Sequence, residues 1–110
     1  MGITKTDSYA DEQVDMALLI KAVGHPARIA ILQAISKTKG CVCGDLVDQL
    51  PLSQPTVSQH LNELKKVGLI KGSVEGRSIC YCLDTDKLQS IHQFIQQLVQ
   101  DAACGDDLCC

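Results

Sequence analysis

The chain has 110 residues, 45% apolar and 21% charged, with a net charge of −3 and no tryptophan; Tyr9, Tyr81 and Phe94 are its aromatics. That suffices for one domain with a modest aliphatic core that an oligomer interface would help to complete. It excludes a large enzyme cleft, a membrane span and a secretory signal, and no Gly-rich phosphate loop or Ser/His/Asp or Cys/His constellation is present; we expect no enzymatic activity, no membrane partner and a cytoplasmic location.

In chain order, Val14, Ala17, Leu18 and Lys21 form a helical stripe ahead of Gly24, and Pro26 opens a second helix carrying Ile29, Leu32 and Ile35. Cys41-Val42-Cys43 follows. In an extended segment residues i and i+2 share a face, so the two cysteines point one way and Val42 the other. Asp45 to Leu50, with Leu46 and Val47, is long enough for about two turns of helix. Pro51-Leu52 makes a tight connection into a further helix that Ser53 can cap and Gly68 can end.

Within that helix Val57, Leu61 and Leu64 recur at i, i+4 and i+7 and form a buried stripe. The opposite face carries Pro55, Ser58, Gln59, Asn62 and Lys66, with Thr56 on its flank. Hydroxyls reach phosphates or base edges, Gln and Asn can pair with adenine, and Lys neutralises phosphate. An ordinary solvated helix would show a similar face. Helix, short turn, helix is, however, the arrangement whose second helix enters the major groove.

After Gly68 the period shortens to two. Residues 69–74 and 78–83 read as strands joined at Glu75-Gly76-Arg77, a hairpin wing with Arg77 at its tip. The candidate DNA contacts are therefore Gln54, Thr56, Ser58, Gln59, His60, Asn62, Lys66 and Arg77. A last helix, from about Thr85 to Asp101, lines up Leu88, Ile91, Ile95 and Leu98 beside Phe94. Residues 1–103 form the domain; residues 104–110 are a tail holding Cys104, Cys109 and Cys110. The charges are segregated: Lys65, Lys66, Lys71 and Arg77 lie in reading helix and wing, while acids gather near both ends. A local basic face can bind DNA on a chain that is acidic overall.

His25 to Leu32, Ser53 to Leu61, Gly68-Leu69-Ile70 and Gly76-Arg77 with Tyr81-Cys82-Leu83 together make the chain resemble the ArsR/SmtB bacterial repressors over about residues 14–100. The resemblance implies a mainly α protein with a small β wing, a winged helix-turn-helix. It implies a homodimer paired through the first and last helices, bound to double-stranded operator DNA and released by a metal or metalloid. Two-fold pairing would present two reading helices to successive major grooves of a near-palindromic operator. No cofactor is obligatory.

Seven cysteines in a cytosolic chain point to metal binding or redox sensing. The best-known arsenic sensors of the family carry Cys-Val-Cys-Asp-Leu, often with a further cysteine. Here Gly44 is inserted and Val47 does not supply the extra thiol, so missing ligands are sought on the wing. Winged helices commonly pair a short first strand antiparallel with the last wing strand. That pairing would turn Val42 inward and bring Cys41, Cys43, Cys80 and Cys82 to one outer face, with opposed side chains about 4.5–5.5 Å apart. Arsenite or antimonite, As(III) or Sb(III), takes three thiolates; Cd(II) or Zn(II) takes four. Cys104, Cys109 and Cys110 are an alternative site, and a thiol-redox or persulfide switch is an alternative chemistry. The family's zinc sensors use Asp and His along the last helix, but beside Asp84 and Asp86 only His92 is a histidine there.

Overall fold

The computed structural model describes residues 8–43, 50–75 and 78–103. Within them the order is α1 (Asp11–Val23), α2 (Pro26–Ser36), β1 (Cys41–Cys43), α3 (Gln54–Lys66), β2 (Ile70–Glu75), β3 (Ser78–Leu83) and α4 (Thr85–Ala102). The short helix expected over Asp45–Leu50 lies outside the described residues except for Leu50, as do Gly76, Arg77 and the tail cysteines Cys104, Cys109 and Cys110.

The core is the aliphatic seam between α2, α3 and the sheet. Ile31, Ile35, Leu64 and Leu69 are completely buried, with Val57, Leu61, Ile70 and Val42 around them. The stripe expected on α3 is thus the buried one. On α2 the centre of the buried face is Ile31 and Ile35, a clean i, i+4 pair, and Ile29 turns outward. On α1 the core takes a different stripe from the Val14, Ala17, Leu18 and Lys21 row, which the family resemblance assigns to pairing between copies. Leu19 and Ala22 face the core, with Met16 and Val23 beside them, while Leu18 is 52% exposed. Met16, Leu19 and Val23 fall at i, i+3 and i+7, an equally good helical repeat with longer side chains to fill the core.

Local chemistry fixes the ends of the elements. The imidazole Nδ1 of His25 accepts from the N–H of Ala27 at 3.0 Å, and Pro26 follows at the first helical position of α2. Beyond α2, Lys39 and Gly40 both take left-handed φ, 60° and 88°, and turn the chain into β1. Gly68, at φ 82°, closes α3: its N–H donates to Lys65 O at 3.0 Å and that of Leu69 to Leu64 O at 3.1 Å, the double bond of a Schellman end. Asp84 caps α4, its Oδ1 accepting from the N–H groups of Asp86 and Lys87 at 3.0 and 3.2 Å.

The sheet is antiparallel, in the order β1-β3-β2. The short first strand therefore pairs with the last wing strand, as expected of a winged helix, and Val42 turns inward. No single helix among the described residues is long and apolar enough to cross a membrane. Helix α4 has no buried residue; Leu88 and Ile91 lean on the core and the turns beyond them do not.

Candidate nucleic-acid interface and cysteine ladder

Burial of Val57, Leu61 and Leu64 decides what α3 shows to solvent. Gln54, Gln59, Asn62 and Lys66 are exposed, and Thr56 and Ser58 lie half-buried at the edge of the same face. Thr56 Oγ1 sits 3.0 Å from Ser53 Oγ, and Gln54 Nε2 donates to Ser58 Oγ at 3.3 Å, so the first turn is held by side-chain bonds that water or phosphate oxygens can replace. Gln59, Asn62, Glu63, Lys65 and Lys66 line one shallow open concavity. Glu63 belongs to this surface and was not among the expected contacts; Lys66 Nζ lies 3.2 Å from its carboxylate. Two exposed ions at that distance are worth little in water, so Lys66 can exchange Glu63 for a phosphate at small cost.

His60 departs from the expectation that it shares the outward face. It is only 9% exposed, because it lies three residues after Val57 and four before Leu64 and so belongs to the buried side. Its Nδ1 accepts from Arg28 Nε at 3.2 Å, and the His25 ring lies 4.6 Å away between centroids. Burial pushes the His60 imidazole below its ordinary pKa, the charges of His25 and Arg28 act the same way, and Glu63 opposes them. The i−3 and i+4 apolar neighbours were the sequence signal for its burial; Arg28 and His25, distant in sequence, were not signalled.

On the wing, Lys71 Nζ lies 3.6 Å from the Asp84 carboxylate, so that cation is partly committed within the chain. The N–H of Lys87 foremost, and the charge of Lys71, hold the Asp84 carboxyl below the usual carboxylate range against its partial desolvation. An acid already engaged as a helix cap is poorly placed to serve as a zinc ligand as well. His92 is exposed on α4.

The cysteines fall opposite one another as a ladder. Cys41 pairs with Cys82, Val42 with Tyr81 and Cys43 with Cys80. Val42 is buried, so Cys41 beside it takes the other side of the strand, as alternation demands. Cys41 and Cys82, with Cα atoms 4.0 Å apart, are joined by a disulfide. Cys80 is also disulfide-bonded and is 6% exposed, which departs from an outer face of four open thiols. A sulfur so engaged behaves as a small buried hydrophobe. Among the described residues no three His, Cys, Asp or Glu side chains gather to hold a metal ion in this state.

A polar-faced helix on an aliphatic seam, followed by an antiparallel wing, defines a winged helix-turn-helix DNA-binding protein. The model of the arsR family of bacterial regulatory proteins matches residues 25–71. An uncharacterized HTH-type transcriptional regulator of Methanocaldococcus jannaschii is 37% identical over 83 residues, covering 74% of this chain and 92% of that one. The HTH-type transcriptional repressor SmtB of Mycobacterium tuberculosis is 41% identical over 73 residues, 66% of this chain but only 53% of that longer relative. The arsenical resistance operon repressor of Staphylococcus xylosus is 30% identical over 79 residues, 72% of this chain and 75% of that one. An ArsR-like transcriptional regulator from Rhodococcus superposes with a TM-score of 0.71 over 84% of this chain and 86% of its own at 21% identity, a likeness of fold. The chain belongs to the ArsR family. It is a transcriptional repressor and not an enzyme.

Proposed function

We propose that this repressor binds a near-palindromic operator as a cytoplasmic homodimer, with α3 in the major groove, and leaves it when an ion of the arsenite or antimonite class bridges the reduced cysteine ladder. The observation that carries the inducer is the register: Cys41 opposite Cys82 and Cys43 opposite Cys80. Rungs two residues apart on one face are about 6.6 Å apart along a strand. Three thiols at such spacing can displace the three hydroxyls of arsenous acid, giving one As(SR)3 centre and three waters. Cadmium or zinc would take all four sulfurs. The likeness to a repressor of arsenical resistance supports the same class of inducer.

The dimer is supported by an unpartnered apolar row. Phe94, Ile95, Leu98 and Val99 on α4 are 39–63% exposed, and Leu18 on α1 is 52% exposed. A row of this kind on so small a domain marks an association surface.

The Cys41–Cys82 bond favours a second reading, release by dithiol oxidation. Two thiols would pass two electrons and two protons to a low-molecular-weight disulfide, which leaves as two thiols. Either trigger ties β1, which leads into the segment expected to form the first helix of the helix-turn-helix, to the wing strand β3. Binding can release DNA only through differential affinity for the two conformations, commonly about 1–3 kcal/mol.

The test is release of fluorescent operator from the reduced dimer on titration with arsenite, antimonite, cadmium or zinc, and separately with oxidised glutathione. Cys41→Ser and Cys80→Ser should bind operator normally and lose the response. A protein ending at residue 103, without Cys104, Cys109 and Cys110, should keep it. If the shortened protein stops responding while both serine variants respond fully, the tail is the sensor. Response to glutathione disulfide with none to the ions selects the second reading.

A further inference from the structure

Among the described residues His60 is the buried polar side chain in an otherwise aliphatic seam. Its Nδ1 accepts from Arg28 Nε, and Arg28 Nη1 donates to the Ala22 carbonyl oxygen at 3.2 Å. One α2 side chain therefore ties the last turn of α1 to the middle of α3. His25 Nδ1 accepts from the Ala27 N–H, and the acceptor role of His60 Nδ1 places that ring's own proton on Nε2.

Val57, Leu61 and Leu64 bury one side of α3, but apolar contact is non-directional and tolerates small rotations of the helix about its axis. A hydrogen bond has a preferred angle and does not. Gln59 precedes His60 by one residue, about 100° around the helix. Any rotation that breaks the Arg28 bond therefore swings Gln59 and Asn62 across the groove.

We propose that Arg28, acting through His60 Nδ1, is the positioning residue that sets the rotation of α3 for operator recognition, and that a proton on His60 releases it. This rests on α3 being the DNA-reading helix. A proton on Nδ1 turns the acceptor into a donor facing a guanidinium N–H. The charged groups around it are His25 and Arg28 from α2 and its cap, and Glu63 on α3, which is paired to Lys66. From α1 comes the uncharged Ala22 carbonyl, and on β2 Lys71 is turned to Asp84. Burial first, and then the charges of His25 and Arg28, disfavour the imidazolium where it sits, against Glu63.

Operator affinity of the dimer is measured by anisotropy from about pH 8 to about pH 5.5 at constant ionic strength, across the His range. The proteins are the wild type, Arg28→Met, His60→Asn and Gln59→Ala, each checked for helicity by circular dichroism. Met keeps the aliphatic stem without donors, and Asn offers its Oδ1 where Nδ1 was but does not titrate. The wild type should weaken about tenfold toward acid, and Arg28→Met should be about tenfold weaker throughout, with a flat profile. His60→Asn should keep the affinity and lose the pH dependence. A contact that is only structural would lower the melting temperature of Arg28→Met while leaving its affinity and pH slope as in the wild type, which overturns the proposal. A wild-type slope retained in His60→Asn also overturns it. If Gln59→Ala binds like the wild type, α3 is not the reader and the proposal falls with that reading. If Gln59→Ala weakens binding and Arg28→Met does not, only the positioning role is lost.

Discussion

Replacing Ile95 and Leu98 together by alanine should break the dimer without unfolding the chain. The two side chains are 49% and 52% exposed in the single chain, on a helix with no buried residue, so their loss opens no cavity in the core. Full burial of such a side chain is worth roughly 1.5–3 kcal/mol, so covering the exposed half yields about 1 kcal/mol for each. Two-fold pairing presents the same patch on both copies, which doubles two contributions to about 4 kcal/mol. That is about a thousandfold in Kd, enough to turn a dimer of about 10 nM into one of about 10 µM. Sedimentation equilibrium at micromolar protein reads the change directly, and operator affinity should fall with it because two half-sites no longer bind as one. Wild-type protein sedimenting as a monomer at micromolar concentration would refute the reasoning. So would a double variant that sediments as the wild type does while circular dichroism shows it folded.

Leu64 is completely buried between α3 and the sheet, so Leu64→Ala should cost about 2–5 kcal/mol in urea unfolding; a loss below about 1 kcal/mol would mean that the seam closes around the gap. Gly68→Ala should destabilise by about 1–2 kcal/mol, since φ is 82° and the added methyl would stand 3.3 Å from Lys87 Cε; an unchanged urea midpoint would contradict that. The Asp84 carboxyl is held below its ordinary range, so its contribution is present above the usual carboxylate value and lost as pH falls through the depressed one. Melting temperatures of wild type and Asp84→Asn should therefore differ at neutral pH and converge in acid, and a gap that persisted below about pH 2 would point to another cause.

Much of the architecture was legible because its signals are local. Ser53 and Gly68 bracket α3 closely, and the common winged-helix pattern implied that β1 pairs with β3, which the register bears out. The burying face of α1 was less legible. Met16 to Ile20 is an unbroken apolar run, so more than one face satisfies helical spacing, and the choice of Leu19 over Leu18 is made by the shape of the core. His60 was misplaced for a related reason. A polar residue at a core position implies a partner, and Arg28, 32 residues earlier, carries no local mark of serving it. The cysteine ladder was legible as a juxtaposition but not as a bonding state. Opposition of two thiols follows from strand pairing, whereas whether the sulfurs join depends on an oxidant outside the chain that takes up two electrons.

The Cys41–Cys82 bond spans a sequence separation of 41 and so encloses all of α3 and β2 in a covalent ring. An extended segment reaches at most about 3.3–3.6 Å per residue, so the ring withholds roughly 140 Å of contour length from the denatured chain. Bonded and reduced forms therefore differ in hydrodynamic size once unfolded, and a denaturing gel run without reductant separates them by mobility. The chemical state of the ladder can thus be recorded from whole cells after acid quenching, with neither the operator nor an inducer in hand.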